Sequence, residues 1–227
     1  MDIYIEIETL ISYAILHGLV KEDDRILVTN AVLESIGCDS YTEFTEEETA
    51  KIAKRAAEIV YPTELLDRLV EWAAENGTLT TDTLTFRDLL NSKIMGQVLP
   101  RTSVIRNDFW HKYQSNKEQA TQFFYELNKQ SNYIRTDRIA KNILWEHESP
   151  YGNLEITINL SKPEKDPRDI AAQKDVVATN YPKCLLCKEN EGYMGRVNHA
   201  GRQNLRTIKL DLANEEWFFQ YSPYIYY

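Results

Sequence analysis

The sequence predicts an α+β protein, with a helical N-terminal domain over residues 1–143 followed by the first strands of an antiparallel domain over 144–227. Three observations carry this. Apolar residues recur at helical spacing through the first part. Near residue 150 the period drops to two, with Leu154, Ile156, Ile158 and Leu160 alternating with Glu155, Thr157 and Asn159. A late aromatic run, from Trp217, Phe218 and Phe219 through Tyr221 and Tyr224 to Tyr226 and Tyr227, has the composition of a strand, interrupted at Pro223.

The helices follow in order. Ile3, Ile7, Leu10, Ile11, Ala14 and Ile15 share one side of a helix that Gly18 is placed to end. Thr45 and Glu48 form a capping-box pattern: the hydroxyl accepts a free backbone N–H while the carboxylate reaches back. The helix they open packs through Ile52, Ala56, Ile59 and Val60, and Pro62 is expected to stop it. Leu65, Leu66, Leu69, Val70, Trp72 and Ala73 mark the next, up to Asn76-Gly77, and Phe86, Leu89 and Leu90 a further one. Ser115 and Glu118 are the expected cap of a longer helix carrying Ala120, Phe123, Phe124 and Leu127. Residues 161–168, rich in Lys, Pro and Asp, read as a loop. The sequence stops within the aromatic run, which predicts a longer protein whose further residues supply neighbouring strands.

A chain of 227 residues that is 43% hydrophobic buries a sizeable core. Its net charge of −9 is uneven: residues 1–88 hold 19 acidic and 7 basic side chains, and the remainder is mildly basic. The acidic part repels phosphates, so no nucleic-acid partner is expected there. The basic part suits a small anion, although surface solubility accounts for the same asymmetry. The early apolar run is broken by Glu6 and Glu8 and lacks a basic leader, so neither a signal peptide nor a membrane partner is expected, and the expected compartment is the cytoplasm. Three cysteines are too few for a secreted disulfide scaffold.

Three clusters can carry chemistry. Cys184 and Cys187 have the Cys-x-x-Cys spacing that lets two thiolates hold one zinc or iron ion. One pair is half a site, His199 is the nearest histidine, and a plain turn with reduced thiols is the competing reading. Lys162, Lys165 and Arg168 follow a strand and suit phosphate oxygens, yet Glu164 and Asp166 offset two of those charges, as in a solvated turn. Residues 189–204 combine Gly192, Gly195 and Gly201, which allow close backbone approach, with Arg196 and Arg202 for phosphate and Asn198, Gln203 and Asn204 for a base or ribose. The cluster matches no phosphate-loop or dinucleotide fingerprint, so an ordinary polar connection is the alternative.

In wording and order these clusters resemble the class II galactose-1-phosphate uridylyltransferases. The likeness covers nearly the whole chain and is most specific in residues 95–101, 132–136, 151–167, 181–193 and 217–227. It implies a histidine-triad-like antiparallel fold, with UDP-glucose and galactose 1-phosphate as partners. It also implies UMP transfer through a covalent uridylyl-histidine, a nucleophilic route that divides one displacement at phosphorus into two. The family's nucleophile sits in a His-x-His segment, which these 227 residues lack, so the isolated chain is expected to be inactive. Carried over by order, Lys162 and Lys165, Cys184 and Cys187, and Gln203-Asn204 are the family's candidate positions; with Arg196 and Arg202 added from the cluster, Lys162, Lys165, Arg196, Arg202, Gln203 and Asn204 are the candidate nucleotide contacts and Cys184 and Cys187 the candidate metal pair. The sequence departs from the family at Ala200, Gly201 and Leu205, where Pro, Ala and His are expected. A homodimer is a further expectation. A non-catalytic helical interaction module and a small metal-stabilised binding domain are the readings from other classes.

Overall fold

The computed structural model describes residues 2–161, 166–174, 176–177 and 179–224. Its first helix, α1 (Ile3–Leu16), starts where the Asp2 carboxylate accepts the Tyr4 N–H at 3.0 Å. Gly18, two residues beyond its end, adopts a left-handed φ of 69°. Leu10, Ile11, Tyr13 and Ala14 on α1 are fully buried, because α2 (Arg25–Ile36), α3 (Glu46–Glu58) and α4 (Thr63–Glu75) all pack against it. Glu6 of α1 is buried as well. Its carboxylate takes a two-pronged hydrogen bond from Arg55 of α3, at 2.9 and 2.6 Å, and one from Arg68 of α4 at 3.0 Å. Two charged groups from neighbouring helices thus satisfy a carboxylate that would be costly to bury alone.

The Thr45 capping box forms: Thr45 Oγ1 accepts the Glu48 N–H at 3.3 Å and Glu48 Oε2 accepts the Thr45 N–H at 2.8 Å. α3 ends at Glu58, earlier than expected. Ile59 is already extended, Val60 is exposed, and Pro62 stands at the entry to α4. Helix α5 (Leu84–Gln97) lies on α2 and α4, and α6 (Thr102–Ser115) pairs with α7 (Lys117–Gln130). The expected cap of α7 is corrected by one residue. Ser115 is the last residue of α6, and it is Asn116 whose side chain accepts the Gln119 N–H at 3.1 Å. A single residue separates the two helices, and of two adjacent cap formers the one outside α6 takes the role. A short α8 (Thr136–Ile139) follows.

Two antiparallel hairpins complete the α+β architecture. β1 (Ile143–Ser149) pairs with β2 (Gly152–Ile158) from Ile143↔Ile158 to Ser149↔Gly152. β3 (Ile208–Leu212) pairs with β4 (Glu215–Phe219) from Ile208↔Phe219 to Leu212↔Glu215. The second hairpin joins the helical core: Ile208 is fully buried, and the Phe219 and Tyr221 rings lie 5.4 and 5.6 Å from that of Phe124 on α7. Between the hairpins, α9 (Pro167–Lys174) takes in the last two residues of the loop expected at 161–168, whose residues 162–165 lie outside the described residues. The Asp166 carboxylate accepts the Arg168 N–H at 2.7 Å, and proline at the first helical position is pre-set in φ, so Asp166-Pro167 opens a helix. Lys162 and Lys165 lie outside the described residues.

Candidate functional site

The residues 192–204 fold back on themselves. Arg196 and His199 exchange both backbone hydrogen bonds, N–H to O, at 2.8 and 2.9 Å, so Val197-Asn198 forms the tip of a two-residue turn. At its base the Arg202 N–H donates to Tyr193 O at 2.7 Å and the Gly192 N–H donates to Arg202 O at 3.0 Å. The two passes touch where Gly195, with a φ of 80°, meets Gly201: a Cβ on Gly195 would sit 2.5 Å from the Gly201 Cα. Position 195 therefore requires glycine, by its backbone as well as its space, whereas a Cβ on Gly201 would meet nothing nearer than Leu89 Cδ2 at 3.1 Å.

This turn walls a cavity of about 290 Å³, whose other walls come from α5, the segment after α7 and the turn at Pro223-Tyr224. Arg196, Arg202 and Asn204 line it together, with Asn198 at the rim. Arg202 is 8% exposed, and its guanidinium carbon stands 5.6 Å from the centre of the Tyr133 ring. Arg196 donates to the Thr179 hydroxyl at 2.7 Å. Neither arginine has a carboxylate partner among the described residues, and the Nε of each is buried without a hydrogen-bond partner. Asp88 is the carboxylate in the wall. It is engaged by Arg138 at 2.9 and 2.6 Å and by Arg135 at 3.6 Å, and so does not neutralise Arg202. For Arg202, buried with no counter-charge among the described residues, that arrangement is costly, and an anion in the cavity is a partner that would relieve it.

Asn204 lines the same cavity, yet its amide is already engaged. Its Oδ1 accepts from the Ser92 hydroxyl at 3.1 Å and its Nδ2 donates to Ser131 O at 3.0 Å. Gln203 faces elsewhere, lining a separate cleft with Arg101, Ser103 and Arg206. Burial pushes the Arg206 guanidinium below its ordinary range, and its described hydrogen bonds go to the carbonyls of Pro100, Gln203 and Leu205. Sequence reasoning missed Ser92, Tyr133 and Asp88 as site residues. All three are distant in sequence and carry no local motif; Tyr133 alone falls within a stretch, 132–136, that carries the family resemblance.

The cysteine pair forms a turn, with the Cys187 N–H on Cys184 O at 3.2 Å. Partial burial, and then the adjacent Cys184 thiol, push the Cys187 thiol up, so it stays protonated at neutral pH. His199, the nearest histidine, is edge-on to Tyr193 at 5.0 Å with its Nε2 3.0 Å from Pro182 O. Among the described residues no group of three His, Cys, Asp or Glu side chains is placed to hold a metal ion. Two thiols alone would be half of the four ligands that a structural zinc takes. Leu185, inside the pair, forms part of the cavity wall.

A half-open cavity lined by Arg196 and Arg202 on an α+β scaffold is chemically suited to a small anionic ligand. The chain belongs to the galactose-1-phosphate uridylyltransferase family: the family model for the "Galactose-1-phosphate uridyl transferase, N-terminal domain" matches residues 18–206. Among curated relatives, the galactose-1-phosphate uridylyltransferase of Halalkalibacterium halodurans is 50% identical over 227 residues, all of this chain and 43% of the relative. That of Clostridium acetobutylicum is 46% identical over 222 residues, 98% of this chain and 43% of the relative. That of Bacillus subtilis is 44% identical over 228 residues, again 43% of its length. This chain therefore spans less than half the length of these relatives. No solved structure matches it. Among the described residues, no helix is long and apolar enough to cross a membrane.

Proposed function

We propose that this chain is the N-terminal part of an enzyme that moves a uridylyl group from UDP-glucose to galactose 1-phosphate, and that its arginine-lined cavity forms part of the pocket for the nucleotide. The carrying observation is Arg202, buried in the cavity without a carboxylate partner among the described residues and with its Nε unbonded. Arg196, beside the tip of the turn, supports the same reading. The phosphate-side contacts proposed are Arg196 and Arg202, together with Lys162 and Lys165, which lie outside the described residues.

In the proposed reaction an imidazole nitrogen attacks the α-phosphorus of UDP-glucose. The bond from that phosphorus to the bridging oxygen breaks, and glucose 1-phosphate leaves. A phosphate oxygen of galactose 1-phosphate then attacks the same phosphorus and the N–P bond breaks, returning the imidazole and releasing UDP-galactose. The guanidinium groups orient the diphosphate and stabilise the negative charge that each displacement gathers on its oxygens. No His-x-His segment occurs in the 227 residues, so the nucleophile is assigned to another part of the whole polypeptide.

Titration of UDP-glucose into the full-length protein tests the reading. Arg202→Ala is expected to raise Kd by about tenfold to a hundredfold, the loss of one or two charge-assisted hydrogen bonds. An unchanged Kd removes the cavity from the nucleotide site. With UDP-glucose carrying a labelled α-phosphate, the full-length protein is expected to retain label and residues 1–227 alone to retain none.

A further inference from the structure

Asn204 looks, by position, like a ligand-reading amide, but its hydrogen bonds point backwards, into the protein. Ser92 is 2% exposed and stands on α5; its hydroxyl donates to Asn204 Oδ1 at 3.1 Å and accepts the Gln203 backbone N–H at 2.9 Å. From the other end, Asn204 Nδ2 donates to Ser131 O at 3.0 Å, just past the end of α7. Two residues before Asn204 lies Arg202, whose own carbonyl accepts the Leu205 N–H at 2.9 Å. The stretch 202–205 is thus pinned to both α5 and the end of α7 by one serine and one asparagine.

The surface that Arg202 faces hangs on the same network. Asn132 is 1% exposed with a φ of 52°, a left-handed backbone that asparagine tolerates, and its Nδ2 donates to Asn91 Oδ1 on α5 at 3.3 Å. The next residue is Tyr133, whose N–H donates to Asn128 O at 3.0 Å and whose ring lies under the Arg202 guanidinium. Asn91 and Ser92, neighbours on α5, therefore hold the ring and the cation respectively. A buried polar network in which the described groups are this fully paired fixes geometry more than it adds affinity.

From this we infer that Ser92 and Asn204 are positioning residues that hold the Arg202 guanidinium above Tyr133, where it meets the phosphates of the nucleotide, and that Asn204 does not itself contact the ligand. This inference rests on the uridylyltransferase reading above. A guanidinium displaced by about 1 Å loses much of a charge-assisted hydrogen bond, so a ligand that lacks the phosphates is expected to be insensitive to the displacement.

The test is a double-mutant cycle in the full-length protein, with Kd for UDP-glucose and for uridine measured on wild type, Ser92→Ala, Arg202→Ala and the double variant. Ser92→Ala is expected to weaken UDP-glucose by about tenfold in the wild-type background and by less than about twofold once Arg202 is gone, with uridine unaffected. Equal weakening in both backgrounds, equal weakening of uridine, or no weakening each overturns the positioning role while leaving the nucleotide pocket standing. An Arg202→Ala variant with wild-type affinity overturns the pocket and this inference together. Should Ser92→Ala unfold at the assay temperature, Asn204→Ser, which breaks the same link from the other end, is titrated with the same two ligands and the same expectation.

Discussion

The α1-centred helical bundle and the β1–β2 hairpin both have amphipathic sequences, and they differ in what covers the apolar face. In the bundle, α1 presents Leu10, Ile11 and Ala14 to three surrounding helices and none of them meets water. In the hairpin, one face collects Ile143, Trp145, Leu154, Ile156 and Ile158, and Trp145, Leu154 and Ile158 remain 42%, 51% and 46% exposed. The hairpin has a well-defined register and no packed core. Pairing two strands satisfies backbone groups locally, but stability in water comes from covering a face, and two strands alone are marginal.

That contrast can be broken by measuring unfolding of the 227-residue chain in denaturant. The largest effect is expected for Leu10→Ala, about 3 kcal/mol, since a fully buried leucine leaves a cavity among packed helices. Glu6→Gln is expected to cost about 1–2 kcal/mol: it removes the counter-charge of Arg55 and Arg68, whose side chains are 33% and 41% exposed and thus partly rescued by water. Thr45→Ala should cost about 1 kcal/mol through loss of the capping box, with the α3 amides showing faster hydrogen exchange. Smallest is Leu154→Ala in the hairpin, under about 0.5 kcal/mol. If Leu154→Ala matched Leu10→Ala, the hairpin would have a core after all, and the comparison would fail.

Where the signal was local, the sequence was legible. The Thr45–Glu48 pair, the 65–73 stripe and the two-residue period of 154–160 depend on neighbours within a turn or a pleat, and each became the element it predicted, although β2 ends at Ile158, before Leu160. Helix α2 went unread because Ile26 and Leu27 face solvent while Val28, Val32 and Leu33 face inward, which blurs the periodicity. Helix α6 buries only Ile105 and Phe109 among polar residues, too thin a stripe to stand out. In the site, Arg196 and Arg202 were legible as cations in a glycine-bearing connection, and the structure brings them to one cavity with Asn204. That Gln203 faces another cleft, and that Ser92 and Tyr133 carry the floor, depends on how α5 and the end of α7 meet a segment some 70–110 residues further along, which no local spacing encodes.

The Gly195–Gly201 crossing sets how far apart two positive charges stand. Because the strands of that turn touch with no side chain between them, the gap from Arg196 to Arg202 is measured by an absence, and even a methyl group would act as a wedge. Replacing Gly195 drives the two legs outward and carries the guanidinium groups with them, whereas a methyl group at Gly201 meets the Leu89 side chain at 3.1 Å and asks only a small shift of it. Any descendant of this sequence that needs both cations on one ligand is therefore bound to keep the empty position at 195 as strictly as it keeps the arginines.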